Sequence, residues 1–187
     1  LPLWRPRRTP PGMAWRLLAI GMVEFGLMYV FYIQSFRYLA AYQVALFTVL
    51  TPLYVALLDD ALARRWRRLH FWTALLAAGG TAVIVYSGWG TKGLGPGFVL
   101  VQLSNACFAA GQVFYRRLPA VRAWRDRDAF AWLYLGGVAA AALSMLVTAA
   151  TPAPRLDGVQ LAVLAYLGLL ASGIGFFLWN IGASRVS

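Results

Sequence analysis

One carboxylate, Glu24, stands deep inside the apolar run from Met13 to Phe36. Glu24 lies about ten residues into that run, roughly 15 Å at helical rise. In lipid, an acid at such depth costs about 2.5–3.5 kcal/mol even on the mildest insertion scales, so it faces a cavity, pairs with a cation or carries protons. No Lys or Arg sits deep enough in the neighbouring apolar runs to be its evident partner. Glu24 is therefore the one visible candidate for proton coupling. The plainer alternative is a neutral glutamate hydrogen-bonded between helices. Its helical face also carries Gly21, Met28, Phe31 and Ser35, with Tyr32 at the edge. Aromatic rings beside an acid suit an amine-bearing guest through charge pairing and cation–π contact, although ordinary packing is the better account of Met28 and Phe31.

A second polar stripe follows. Gln102, Asn105 and Gln112 share an arc of roughly 80° at 100° per residue, with Ala109 among them. Three amides on one face of a membrane helix need partners, either on neighbouring helices or in a polar pocket. Gln43, Phe47, Thr51 and Tyr54 share another face, and Pro52 removes the backbone bond to the Thr48 carbonyl, so a bend or an exposed carbonyl is expected there. Near the chain's end Gly173, Phe176 and Asn180 share a face. Trp179 beside them reads either as a stacking group or as an interfacial anchor. The single cysteine, Cys107, and the single histidine, His70, leave almost nothing from which to build a metal site or a catalytic triad. No cofactor, metal or enzymatic chemistry is expected. The Gly93–Gly97 stretch lacks the Lys and strand context of a phosphate loop and reads as a turn. Asp60 and Arg64 have the spacing of a helical ion pair, and Gly136 and Gly137 suit close helix packing.

These residues are carried on six apolar blocks: Met13–Phe36, Ala41–Leu58, His70–Ser87, Phe98–Tyr115, Phe130–Thr148 and Val159–Ile181. Each is 18 to 24 residues long, and a helix crossing the hydrocarbon core needs about 20. Hydrophobic residues make up 61% of the chain and charged ones 12%, against about 25% charged in a soluble domain. Alternation of the barrel kind is missing, so the spans are expected to be helices, the form that satisfies every backbone group within lipid. The net charge of +11 alternates with the spans rather than forming a nucleic-acid patch. Arg5, Arg7, Arg8 and Arg16, then Arg64, Arg65, Arg67 and Arg68, then Arg116, Arg117, Arg122, Arg125 and Arg127, and finally Arg185 fall on one side. Only Arg37, Lys92 and Arg155 fall on the other. The basic side marks the cytoplasm, which places the start of the chain and the 59–69 and 116–129 connections inside.

Shifted by 147 positions, the first block lies over the last: Leu17 meets Leu164, Gly21 meets Gly168 and Gly26 meets Gly173. Five spans separate the copies, an odd number that inverts the second, and inverted repeats are a recurring plan of secondary transporters. The absence of a starting Met and the stop just past a span lead to the expectation that the chain is a piece of a ten-helix protein. The stretches Ser35–Ala41 and Ala45–Pro52, then Ala77–Tyr86 and Phe177–Asn180, resemble the third-to-fourth, fifth and eighth helices of the EamA-like family, in the drug/metabolite transporter superfamily. The chain departs from that pattern in having Arg64 and Arg65 where members commonly carry a Gly-Glu pair, with its acids at Asp59 and Asp60. The resemblance implies an all-α integral membrane protein, with residues 1–90 as helices three to five of the first five-helix repeat and 91–187 as helices six to eight of the second.

The expected function is secondary transport by alternating access in the bacterial inner membrane. Its expected partners are the lipid bilayer, a small polar metabolite and coupled protons. The resemblance implies an amino acid, an amine or a related metabolite as cargo, with export the expected direction. Glu24, Gln102 and Asn105 are the expected substrate-binding residues, with Tyr32, Gln112 and Asn180 beside them. The rival from another class is a non-transporting membrane scaffold or sensor, which expects the intramembrane polar groups to be paired off with no solvated cavity.

Overall fold

The computed structural model describes residues 11–65, 67–87, 93–118, 126–148 and 156–185. Of the charges used to orient the chain, Arg5, Arg7, Arg8, Lys92, Arg122, Arg125 and Arg155 lie outside the described residues. The described residues are helical throughout, apart from short turns. In chain order they form α1 (Pro11–Gly21), a π-helical stretch π1 (Met22–Leu27), α2 (Met28–Ser35), α3 (Ala41–Thr48), α4 (Thr51–Ala63) and α5 (Arg68–Ser87). There follow α6 (Leu94–Arg117), α7 (Asp126–Thr148), α8 (Gly158–Ala165), a second π-helical stretch π2 (Tyr166–Ile174) and α9 (Gly175–Arg185). Among the described residues, five helical stretches are long and apolar enough to cross a membrane: Gly12–Ser35, Ala41–Ala63, Leu94–Arg117, Ala129–Leu146 and Gly158–Trp179. They answer to five of the six apolar blocks, and the remaining block falls on the 20-residue α5.

The sequence explains the local breaks. Pro52 occupies the first turn of α4, where its missing N–H is harmless, but it cannot continue the ladder from α3. The helix therefore tightens through Val49 and Leu50, whose amides reach only three residues back, to the carbonyls of Leu46 at 3.3 Å and Phe47 at 3.4 Å. The carbonyl of Thr48, orphaned by the proline, accepts a bond from the Thr51 hydroxyl at 2.6 Å. The α-helical ladder is thus interrupted just before Pro52. At the other end of α4, Arg64 adopts a left-handed conformation, φ 52°. Gly93 does the same at φ 94° to start α6, which is the turn read from the glycine-rich stretch. Asp157 begins α8 with a capping box: its carboxylate accepts from the Gln160 backbone amide at 2.7 Å, and the Gln160 side-chain oxygen accepts from the Asp157 backbone amide at 3.0 Å.

Helix α6 is the centre of the packing. It lies against α2, α3, α4, π1 and α1, while α7 packs along α1 and π1 on the other flank. The second contact is a small-residue seam. A methyl group added at Gly21 would collide with the backbone of Leu133, and one at Gly136 with the backbone of Leu18 and Met22. Gly26 faces Ala140 in the same way. Without a hydrophobic driving force between helices in lipid, such close backbone approach is what holds them together. Two buried clusters flank the seam. Leu17, Phe25, Tyr115, Phe130 and Leu133 form one, and Leu39, Val44, Phe47, Leu94 and Val101 the other.

The outside of the bundle is apolar. Leu69, Trp72, Leu75, Leu76, Val83 and Tyr86 of α5 are exposed, and neither α8 nor π2 buries a single residue. In water such a surface is an aggregation hazard; in lipid, or under further helices, it is ordinary. The described residues form an all-helical bundle whose lengths and apolar surface are those of an integral membrane protein.

Candidate functional site

Glu24 lies on π1 and is fully buried, 0% exposed. The π-turn is defined by the Met28 amide, which reaches five residues back to the carbonyl of Val23. Single π-turns inside α-helices sit disproportionately at functional positions. Across the helix contact, Gln112 of α6 donates its side-chain amide to Glu24 Oε1 at 2.7 Å. The approach is close because Gly111 presents no side chain: a methyl group there would strike the Cβ and Cγ of Glu24. The acid and one end of the amide stripe thus meet, 88 residues apart in sequence.

The stripe then divides. Asn105, 3% exposed, turns towards the break in the second span. It donates to the Phe47 carbonyl at 2.9 Å and to Gln102 Oε1 at 3.2 Å, and accepts from the Thr51 hydroxyl at 3.0 Å. Asn105 therefore satisfies the carbonyl that the break at Pro52 leaves without a full helical bond. Gln102, half-buried, keeps a side-chain Nε2 that is sealed from solvent and bonds to none of the described residues. Ser104 donates to the Met28 carbonyl just after π1, at 3.1 Å. Tyr32 is half-buried and stacks edge-on against Phe36 and Tyr29, with centroids 5.2 and 6.2 Å apart. Asn180 belongs to α9, and its side chain lies outside the described residues. Of the six residues singled out from the sequence, then, Glu24 bonds to Gln112 and Gln102 to Asn105. Tyr32 lies further along the first span.

A second cluster beside Glu24 has almost no signature in the sequence. Tyr29 shares a hydrogen bond with Ser172 of π2. Tyr134 of α7 donates to the Gly173 carbonyl at 2.7 Å, with that of Ser172 at 3.3 Å. Around these hydroxyls Phe176 packs against Phe25, Tyr29 and Phe108, with centroids 5.4, 6.3 and 5.7 Å apart. These residues come from four different spans, and only the shared helical face of Gly173 and Phe176 gave any sign of it.

At the arginine-rich end of these spans, the acids pair differently from the helical expectation. Asp60, buried, takes the His70 ring nitrogen at 2.8 Å and the Arg67 amide at 3.1 Å, not Arg64. Arg64, in its left-handed conformation, caps the helix instead. Asp59 binds Arg117 of α6 through two side-chain contacts at 2.9 and 3.1 Å, and its carbonyl accepts a third at 2.8 Å. Among the described residues no group of three or more His, Cys, Asp or Glu could hold a metal ion.

Comparison with known proteins places this arrangement. Residues 1–86 match the EamA-like transporter family. Over 187 residues the chain is 37% identical to the "Biotin transporter" of Escherichia coli K12, covering all of this chain and 62% of that protein. It is 43% identical over 172 residues to the "Biotin transporter" of Salmonella typhimurium LT2, covering 90% of this chain and 56% of that one. The "Probable biotin transporter" of Pseudomonas aeruginosa PAO1 is 40% identical over 193 residues, covering all of this chain and 65% of its own length. The chain thus spans roughly three-fifths of these relatives, and no solved structure matches it. The family is one of transporters, not enzymes. The likeness to the EamA-like transporter family is carried by residues 1–86 of the chain's 187.

Proposed function

We propose that the chain is the central part of a ten-helix secondary transporter of the bacterial inner membrane, and that it carries biotin or a metabolite with the same ring and acid tail. The first and second spans and α5 would be helices three to five of one half, and α6 to α9 helices six to eight of its inverted partner. The observation that supports this reading is the buried bond between Glu24 and Gln112, which joins the first span to α6. A polar pair in lipid is expensive and serves a path or a site by default.

The relatives' names move the expected cargo from amines and amino acids to biotin. Its chemistry fits the groups at hand. A ureido ring offers two N–H donors and one carbonyl acceptor, which match a carboxylate beside the amide of Gln112. The carboxylate tail of such a molecule would be repelled by an ionised Glu24, so the ring points to Glu24 and the tail away from it. The half-buried rings of Tyr29, Phe108 and Phe176 border the same region and can pack on the faces of the bicycle. Glu24 remains the candidate proton carrier.

A scaffold or sensor is the second reading, favoured by one observation: Glu24, Asn105 and Gln112 are each at most 3% exposed and bonded to neighbours. Alternating access accounts for the same burial as an occluded state. The test is uptake and efflux of labelled biotin in cells that lack their own biotin carrier and express the full-length protein. Saturable movement that unlabelled biotin competes, and that Glu24→Ala abolishes, is expected. Movement of an amino acid or amine instead of biotin overturns the cargo; movement of none of them, with the protein present in the membrane, overturns transport.

A further inference from the structure

Among the described residues, helical geometry widens to the π form in two of the spans, at π1 and π2. The 147-position shift that lays the first span over the last carries Met22–Leu27 onto Leu169–Ile174, which lies inside π2. Each π-turn accommodates an extra residue in the ladder and is retained mostly where it does something. The two turns also touch. Tyr29, just beyond π1, bonds to Ser172 within π2. The ring of Tyr134 lies 5.2 Å from that of Phe25 in π1, while its hydroxyl donates to the Gly173 carbonyl in π2. Phe176, just past π2, closes the contact against Phe25.

We propose that π1 and π2 are a coupled pair of hinges, one in each half of the transporter, which bend together about the Tyr29–Ser172–Tyr134 hydroxyl cluster. The proposal rests on the two-half reading given above, and it adds a mechanical asymmetry. The shift pairs Gly26 with Gly173 but Glu24 with Ala171. The hinge is therefore duplicated and the acid is not. Bending at π1 moves Glu24 relative to Gln112, whereas bending at π2 moves the aromatic wall around Phe176. Small residues surround both turns, and Gly21 and Gly26 bring π1 against α7. A wide turn that is not held by a fully α-helical ladder is where a span bends with least cost.

Shortening the turns tests the idea in the full-length protein. Deleting Leu169, a position 70% exposed, tightens π2 towards a plain α-helix, and deleting Val23 does the same to π1. Each deletion is expected to lower biotin transport about tenfold or more, as expected when a conformational step is blocked. The Leu169 deletion is also expected to slow amide hydrogen exchange over residues 22–27 as well as over its own segment. Tyr134→Phe keeps the ring against Phe25 and removes the hydroxyl; it is expected to quicken exchange in both segments, and it serves where a deletion prevents folding. Exchange is read without substrate, so linked changes in a protein that carries no biotin would overturn the cargo and leave the hinges standing. Exchange changes confined to residues 166–174, or deletion variants that transport at the parental rate, overturn the proposal.

Discussion

Asn105 holds together what Pro52 divides. Its amide supplies the donor that the Phe47 carbonyl needs, and its oxygen receives the Thr51 hydroxyl. Asn105→Leu is expected to leave that carbonyl buried with only a poor bond, at a cost of about 1–3 kcal/mol, seen as a lower unfolding temperature in detergent. Asp59 and Arg117 are the opposite case, since both are partly solvent-exposed, at 42% and 36% of their side chains. Exposed pairs contribute about 0–1 kcal/mol, so Arg117→Ala is expected to shift that temperature little. Glu24 was legible from sequence because a lone acid in a long apolar run has few physical excuses. The hydroxyls of Tyr29, Tyr134 and Ser172 were not: tyrosine and serine are tolerated in membrane helices everywhere, and only the fold brings these three together.

At the scale of the element, the spans follow from the apolar blocks, and the break in the second from Pro52. The six-residue pattern of π1 had no such signature, because an extra residue in a helix leaves a hydrophobic run hydrophobic. The three-amide stripe illustrates the same limit. Periodicity put Gln102, Asn105 and Gln112 on one face of α6, but partner helices decided that Gln112 reaches the first span and Asn105 the second. Helix packing offers its own test. Gly21→Ala and Gly136→Ala each drive a methyl group into the backbone of the facing helix. Each is expected to cost about 1–3 kcal/mol, the usual penalty of overpacking. Gly95→Ala, in the first turn of α6 with nothing within 4 Å among the described residues, is the matched control and should be close to neutral. Equal losses at all three sites would show that the seam between α1 and α7 is not what the stability depends on.

Across the whole molecule, the first two spans meet α6 at Glu24–Gln112, at Asn105 with the break in the second span, and at Asp59–Arg117. Under the proposed function, the first of these contacts must loosen to admit a guest. Glu24→Gln preserves the shape and the contact with Gln112 while removing the titratable proton. Proton-coupled flux in the full-length protein should then lose its pH dependence; a variant with the parental rate and pH profile would remove Glu24 from the mechanism. The most direct measurement asks whether the buried amide row ever meets water. In the full-length protein with Cys107 replaced by Ser, a cysteine at position 102 is treated with an impermeant maleimide from either side of the membrane. Labelling from each face in turn, reduced by saturating biotin, is the expected result. A cysteine at that position that reacts from neither face, in an intact and folded protein, would contradict a site that opens alternately to the two sides.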